Sequence, residues 1–143
     1  MASITSPSKL TSSLKITQYD FDPDATTATE IEWIDMKEYD SLLVSFFRTV
    51  GTSALTFSLV GNAESDGSGT DYTICTYSGD EPDAAGDYCF LEANTQQLNE
   101  LAAGLRYITA VCTVATGTDE GVVTYVQGGA HQAKLNLTAA SIA

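Results

Sequence analysis

The chain has 143 residues, 6 Lys and Arg against 19 Asp and Glu, a formal net charge of −13 and three cysteines. This length fits one domain that buries about 70% of the surface its unfolded chain exposes, enough for a core without metal or disulfide staples. The charge argues against nucleic acid and anionic membrane as partners, because an acidic folded surface repels polyanions, and no stretch approaches the roughly 18 apolar residues of a membrane span.

Residues 1–13 contain seven Ser or Thr and almost no large apolar side chain, a composition that does not offset its own ordering entropy. They lack the apolar run of a secretory leader, so synthesis and folding in a host cytoplasm are expected. Residues 1–18 carry Lys9 and Lys15 and no acid, whereas residues 19–143 carry four bases and all nineteen acids. The expected organisation is a flexible N-terminal arm over 1–18, suited to docking on an acidic neighbour, followed by a single domain over 19–143.

From Leu14 the chain alternates short apolar runs with turn clusters. Leu14–Tyr19 and Glu30–Met36 are predicted strands, separated by a turn around Pro23. Ser41–Val50 is apolar on both alternating faces, the pattern of a central strand covered on two sides. Ala54–Asn62 alternates Leu55, Phe57 and Leu59 inward with Thr56 and Ser58 outward, and Gly51-Thr52-Ser53 is short enough to join the two strands as a hairpin. A polar loop over Glu64–Asp71 precedes the strand Tyr72–Tyr77, and an acidic loop over Ser78–Asp87 precedes the strand Tyr88–Glu92.

Asn94–Ala103 is the single predicted helix. Asn94 caps it, Gln97 completes a capping box, Leu98 and Leu101 share a face and Gly104 suits its end. The stretch from Leu105 to Gln127 then shows two β-branched and aromatic runs split by Thr116–Gly121, the pattern of two half-buried strands joined by a glycine-punctuated turn. A last strand is predicted over Lys134–Thr138. Eight or nine short strands with one short helix predict an all-β, antiparallel two-sheet sandwich, jelly-roll-like or immunoglobulin-like.

Chemistry-bearing residues are sparse. Asp20, Asp22 and Asp24 open like a calcium loop, but Ala25 stands where the turn glycine belongs and Ile31 where a bidentate Glu belongs, so a solvated acidic turn is expected. His131 is the single histidine, in a loop setting, and no G-x-S-x-G supplies a nucleophile for it. Asp119 and Glu120 are adjacent in a turn and unsuited to paired acid-base work. Cys75, Cys89 and Cys112 show no ligand spacing and read as unpaired core thiols in a reducing compartment. The sequon Asn136-Leu137-Thr138 reads as a strand end. Trp33, Tyr39, Tyr72, Tyr77, Tyr88, Tyr107 and Tyr125 follow strand alternation and are assigned to sheet packing, with sugar stacking as the competing use. No catalytic, cofactor-binding or metal-binding residue is assigned, and the chain is expected to be no enzyme and to need no cofactor.

The order of Tyr39–Phe46, then Leu55–Val60 with the loop Glu64-Ser65-Asp66-Gly67, then Leu105-Arg106-Tyr107-Ile108-Thr109-Ala110-Val111 resembles small β-sandwich virion proteins of tailed bacteriophages, over roughly residues 30–138. The resemblance implies a non-enzymatic capsid decoration or cement protein on the outer surface of an assembled head, with the major capsid protein as partner and self-association as a homotrimer. A tail part or a receptor- or carbohydrate-binding module is the alternative. No site residue is carried over from the resemblance.

Overall fold

The computed structural model describes residues 14–23, 28–80 and 82–130. The described strands are β1 (Lys15–Phe21), β2 (Thr29–Glu30), β3 (Ile34–Asp35), β4 (Tyr39–Val50), β5 (Leu55–Asn62), β6 (Tyr72–Thr76), β7 (Tyr88–Asn94), β8 (Tyr107–Val114) and β9 (Glu120–Ala130), with one helix, α1 (Thr95–Leu101). They form two antiparallel sheets. One has the order β1-β9-β4-β7, the other β2-β8-β5-β6, with β3 also on β8. Taking β2 and β3 as one interrupted strand, the first strand pairs with the last, the second with the second to last, and so on inward. That nesting is the jelly roll, which resolves the two sandwich topologies left open by pattern alone.

Three sequence expectations are corrected. β8 and β9 do not form a hairpin: β8 lies beside β5 in one sheet and β9 beside β4 in the other. The same holds for β4 and β5, which Gly51-Thr52-Ser53 was expected to fold back on one another. A loop of four residues spans about 13 Å, enough to cross the roughly 10 Å between facing sheets, so a short glycine-rich loop does not distinguish turning back from crossing over. The segment Glu30–Met36 is not one strand but the short bridges β2 and β3: Ile31 still donates to the Ala110 carbonyl at 3.0 Å, but the Glu32 amide goes to the Thr109 hydroxyl, and Glu32 and Trp33 leave the ladder. β1 takes in Lys15–Gln18, the end of the segment expected as an arm. Residues 1–13, and with them most of that arm, lie outside the described residues, as does the expected strand Lys134–Thr138.

Alternation fills the space between the sheets. Phe21, Leu42, Val44, Phe46, Val123 and Tyr125 point inward from one sheet, and Phe57, Leu59, Ile108, Ala110, Cys112 and Val114 from the other, all buried. The Phe46 ring joins the layers, meeting Phe21 edge-on with centroids 5.5 Å apart and Phe57 tilted at 6.1 Å. Burying this apolar surface is the main force closing the sandwich, at about 25 cal/mol per Å2. Polar groups in the core are all but fully partnered: the Tyr125 hydroxyl accepts from the Ala110 amide at 3.1 Å and donates to the Glu32 carbonyl at 3.3 Å, and the buried Gln127 amide donates to the Asp35 carbonyl at 2.9 Å. Burial raises the Tyr125 phenol above its ordinary pKa.

The helix begins as its sequence dictates. The Asn94 side chain accepts from the Gln97 amide and the Gln97 side chain accepts from the Asn94 amide, both at 2.9 Å. Leu98 is buried, whereas Leu101, the last residue of the helix, is exposed. Cys89 and Cys112 are buried core thiols, Cys75 is half-buried, and all three are free.

Candidate interaction surface

Among the described residues no three His, Cys, Asp or Glu side chains come together as a metal-holding group. His131, Asp24 and the sequon Asn136 lie outside them. Asp20 and Asp22 are exposed at the end of β1. The loop over 63–71 uses its polar groups on itself: the buried Asn62 donates to Asp71 at 2.7 Å and accepts from the Glu64 amide at 2.8 Å, and Asp66 takes the Ser68 amide at 3.0 Å. Hydrogen bonds from Ser68 hold the Asp66 carboxyl below the usual carboxylate range. Gly67, at φ +72°, lies so close to Trp33 that a Cβ would stand 2.6 Å from the indole nitrogen. The polar loop over 63–71 is thus pinned by an aromatic ring, and Trp33 has a packing duty.

Asp119 is not the surface turn residue its sequence suggests. It is buried and receives Arg48 Nη1 at 2.8 Å, the Ser53 amide at 3.1 Å, the Ser53 hydroxyl and the Thr116 hydroxyl. Burial would raise its pKa, but the hydrogen bonds from Ser53, Arg48 and Thr116 outweigh it and hold the carboxyl below its ordinary value. Arg48 also donates to the carbonyls of Pro82 at 3.1 Å and Ser53 at 2.7 Å. These partners come from the three crossovers β4 to β5, β6 to β7 and β8 to β9 at one end of the sandwich. With all three guanidinium nitrogens of Arg48 donating to protein and no exposure to solvent, the cluster reads as a structural staple. The sequence did carry a signal for it: alternation places Arg48 on the inward face of β4 with Leu42, Val44 and Phe46, and an inward charge requires a buried partner.

The outer faces of the two sheets differ in kind. On the five-stranded sheet Thr56, Ser58, Thr73, Thr76 and Thr113 face outward, with Ser58 and Thr76 sharing a hydrogen bond at 3.0 Å, beside Val111 and the buried Val60 and Thr109. On the four-stranded sheet the register stacks three rows across β1, β9, β4 and β7: Ile16, Val126, Leu43 and Glu92; then Gln18, Thr124, Ser45 and Phe90; then Asp20, Val122, Phe47 and Tyr88. Ile16 is 64% exposed, Phe47 43%, Tyr88 62% and Phe90 54%. In these three rows the two central strands contribute no charge and the carboxylates Asp20 and Glu92 stand at opposite corners, while Glu120 faces the same way on β9 one step beyond Val122, opposite Val50.

Two sequence expectations meet on this face. The Ser41–Val50 run was expected to be covered on both sides; among the described residues only the face bearing Leu42, Val44, Phe46 and Arg48 is covered, and Leu43 and Phe47 point to the other. Of the aromatic residues assigned to packing, Tyr39 and Tyr125 are buried, Trp33, Tyr72, Tyr77 and Tyr107 half-buried, and Tyr88 stands on the open face. Phe47 and Phe90, absent from that set, are the other rings there. A groove of about 530 Å3 runs along the edge at Tyr77, Tyr88 and Phe90, and another of about 440 Å3 opens at the far end of the face between Leu43, Glu92, Gln97 and Val126.

No protein-family model matches the chain, and no curated protein is similar to it in sequence. Among solved structures it is similar to the SPBc2 prophage-derived protein YomS (16% identity, TM-score 0.46, 80% of this chain and 95% of that one) and to a chain from disulfide-linked pili described as Bacillus endospore appendages (15% identity, TM-score 0.44, 80% and 86%). It is also similar to the VP2 subviral particle of infectious bursal disease virus (16% identity, TM-score 0.44), where it covers 81% of this chain but spans about a third of the viral one. Likenesses this distant transfer no function.

Proposed function

We propose that this chain is a non-enzymatic virion structural protein, a capsid decoration or cement protein that binds the major capsid protein on the outside of an assembled phage head. The observation that carries this reading is the contrast between the two outer sheet faces: one carries no exposed large apolar side chain, the other presents Ile16, Phe47, Tyr88 and Phe90 to solvent on a chain of net charge −13. Exposed apolar patches of this kind mark protein-protein contact, whereas a reaction centre calls for a concave pocket with converging titratable groups. The order of strand runs and the Glu64-Ser65-Asp66-Gly67 loop supports the phage setting through the resemblance they carry. A domain that binds only the assembled lattice stabilises it by mass action, many identical contacts acting together. The segment over residues 1–18, which carries Lys9 and Lys15 and no acid, extends the contact onto a neighbouring acidic subunit.

The test is occupancy on purified heads. Chain lacking residues 1–13 keeps the melting temperature of the full chain and occupies fewer head sites, and hundreds of copies per head are expected of the full chain. A handful of copies at one vertex, or measurable turnover by the purified chain, overturns the reading. The groove beside Tyr77 and Tyr88 favours a second reading as a carbohydrate-binding module, and binding of isolated protein on a glycan array is its test.

A further inference from the structure

We infer that β9 locks an edge of the opposite sheet: Tyr125 and Gln127 cross the core to occupy backbone groups of the β2–β3 segment, and this keeps that edge from accepting a further strand. The lock belongs to the single copy, whatever partner that copy serves. β2 and β3 pair with β8 one residue out of step with each other. Thr29 and Glu30 stand opposite Cys112 and Val111, whereas Ile34 and Asp35 stand opposite Ile108 and Tyr107, so the three residues Ile31 to Trp33 face only Ala110 and Thr109. An extra residue in one strand is a β-bulge, which turns peptide groups out of the ladder. Here the turned groups find side chains. The Ile31 amide still reaches the Ala110 carbonyl at 3.0 Å, but the Ala110 amide goes to the Tyr125 hydroxyl at 3.1 Å, and that hydroxyl donates to the Glu32 carbonyl at 3.3 Å. The Glu32 amide goes to the Thr109 hydroxyl at 3.2 Å. Beyond the step the Met36 amide meets the Arg106 carbonyl at 3.0 Å, so ladder alternation points the Asp35 backbone away from β8, and its carbonyl takes the Gln127 side-chain amide at 2.9 Å.

Tyr125 and Thr109 are fully buried and Gln127 is 2% exposed. Polar groups that deep cost stability unless they are bonded, and Val123, Tyr125 and Gln127 share the inward face of β9, where phenylalanine and leucine would fill the same space. The hydroxyl of Tyr125 and the amide of Gln127 are accounted for by the backbone groups they reach. An unbroken edge strand presents a row of free N–H and C=O groups on which another chain pairs. Between Glu32 and Asp35 that row is interrupted: both backbone groups of Glu32 are tied, to Thr109 and Tyr125, and the Asp35 carbonyl is tied to Gln127. Two of these three ties come from the other sheet. The edge therefore opens only when β9 releases it, which couples its closure to the packing of the two sheets.

Residue-resolved hydrogen exchange and sedimentation velocity on the full chain test the lock. The variants are Y125F and Q127M, which keep the volume and remove the tie, with V44A as a control that loosens the buried core on β4 without touching the edge. In the wild type the Glu32 amide is expected to exchange as slowly as the ladder amides of β8, although it lies on an edge and outside the ladder. In Y125F the Ala110 amide is expected to exchange about tenfold faster relative to the amides of β5, a ratio that a general loss of stability does not move. Y125F and Q127M are expected to form heavier species than the wild type and V44A at equal concentration, because the freed edge pairs with that of another copy. If Y125F fails to fold, the wild-type exchange of Glu32 and the mass of Q127M against V44A decide. A native Glu32 amide that exchanges as fast as an exposed loop amide overturns the inference. So does an Ala110 ratio unchanged in folded Y125F, or association of the folded lock variants no greater than that of V44A.

Discussion

Arg48 and Asp119 stand 71 residues apart in sequence and meet as a fully buried ion pair, Nη1 to Oδ2 at 2.8 Å, at the end of the sandwich where three crossovers converge. Each partner desolvates the other, and neither has water to fall back on. The pair therefore matters most when it is broken: removing one charge leaves the other buried and uncompensated, which costs about 3–5 kcal/mol.

Asp119→Asn is accordingly expected to lower stability by about 3–5 kcal/mol at neutral pH in urea titration, with the slope of the transition unchanged. The pH dependence has a definite sign. Because the folded carboxyl titrates below its ordinary value of 3.8, its contribution is complete above about pH 4 and is lost as pH falls through the folded value. The stability gap between wild type and D119N should hold from neutral down to that range and narrow below it. A gap that widens in acid would show that Asp119 is held protonated, against the hydrogen bonding described.

Gly51 reports on the same cluster from the backbone. It sits at φ +97°, where side chains are strained, and a Cβ there would overlap the Asp119 carboxylate. Gly51→Ala is expected to cost more than the roughly 1 kcal/mol of the strained conformation alone, because Asp119 must leave Arg48 to make room. In combination with D119N the two penalties should fall short of additivity, since the displaced group is the same. Full additivity in a double-mutant cycle would separate the glycine from the ion pair.

How far the sequence leads is visible strand by strand. β5, with Leu55, Phe57 and Leu59 inward, and α1, with its Asn94 and Gln97 box, are fixed by neighbours a few residues away, and both form where alternation and capping place them. The pairing of β8 with β5 and of β9 with β4 depends on partners dozens of residues distant, and the loop at 115–119 reads the same whether it turns back or crosses over. The open face was half legible. Phe47 and Leu43 announce a strand apolar on both sides, but only the fold shows that the outer side of that strand has no cover among the described residues.

The capping box offers a local test. Asn94 both ends β7 and caps α1, so Asn94→Ala removes the acceptor for the Gln97 amide without touching the core. A loss of about 1 kcal/mol is expected, measured by thermal or urea unfolding, while Asn94→Asp should keep most of it because aspartate caps comparably. If N94D lost as much as N94A, the role of Asn94 would lie in its donor group toward the neighbouring groove and not in the cap.

Thiol accessibility tests the layering of the whole sandwich. Burial raises all three thiols: Cys75 is half-buried and moderately affected, Cys89 is pushed up to about 11, and Cys112, at the centre of β8, is raised further. Thiolate is the reactive form, so both burial and pKa order the reaction with a maleimide as Cys75, then Cys89, then Cys112. Cys112 sits among Phe57 and Val114 with no exposed surface, and its labelling requires opening of the sandwich. Its rate should therefore fall with the stability of the fold and rise in D119N in proportion to the population opened, while the Cys75 rate stays nearly the same. Mass spectrometry of timed, quenched samples reads each site separately. Equal rates at Cys75 and Cys112 in the native protein would place β8 at the surface, which the jelly-roll order does not permit.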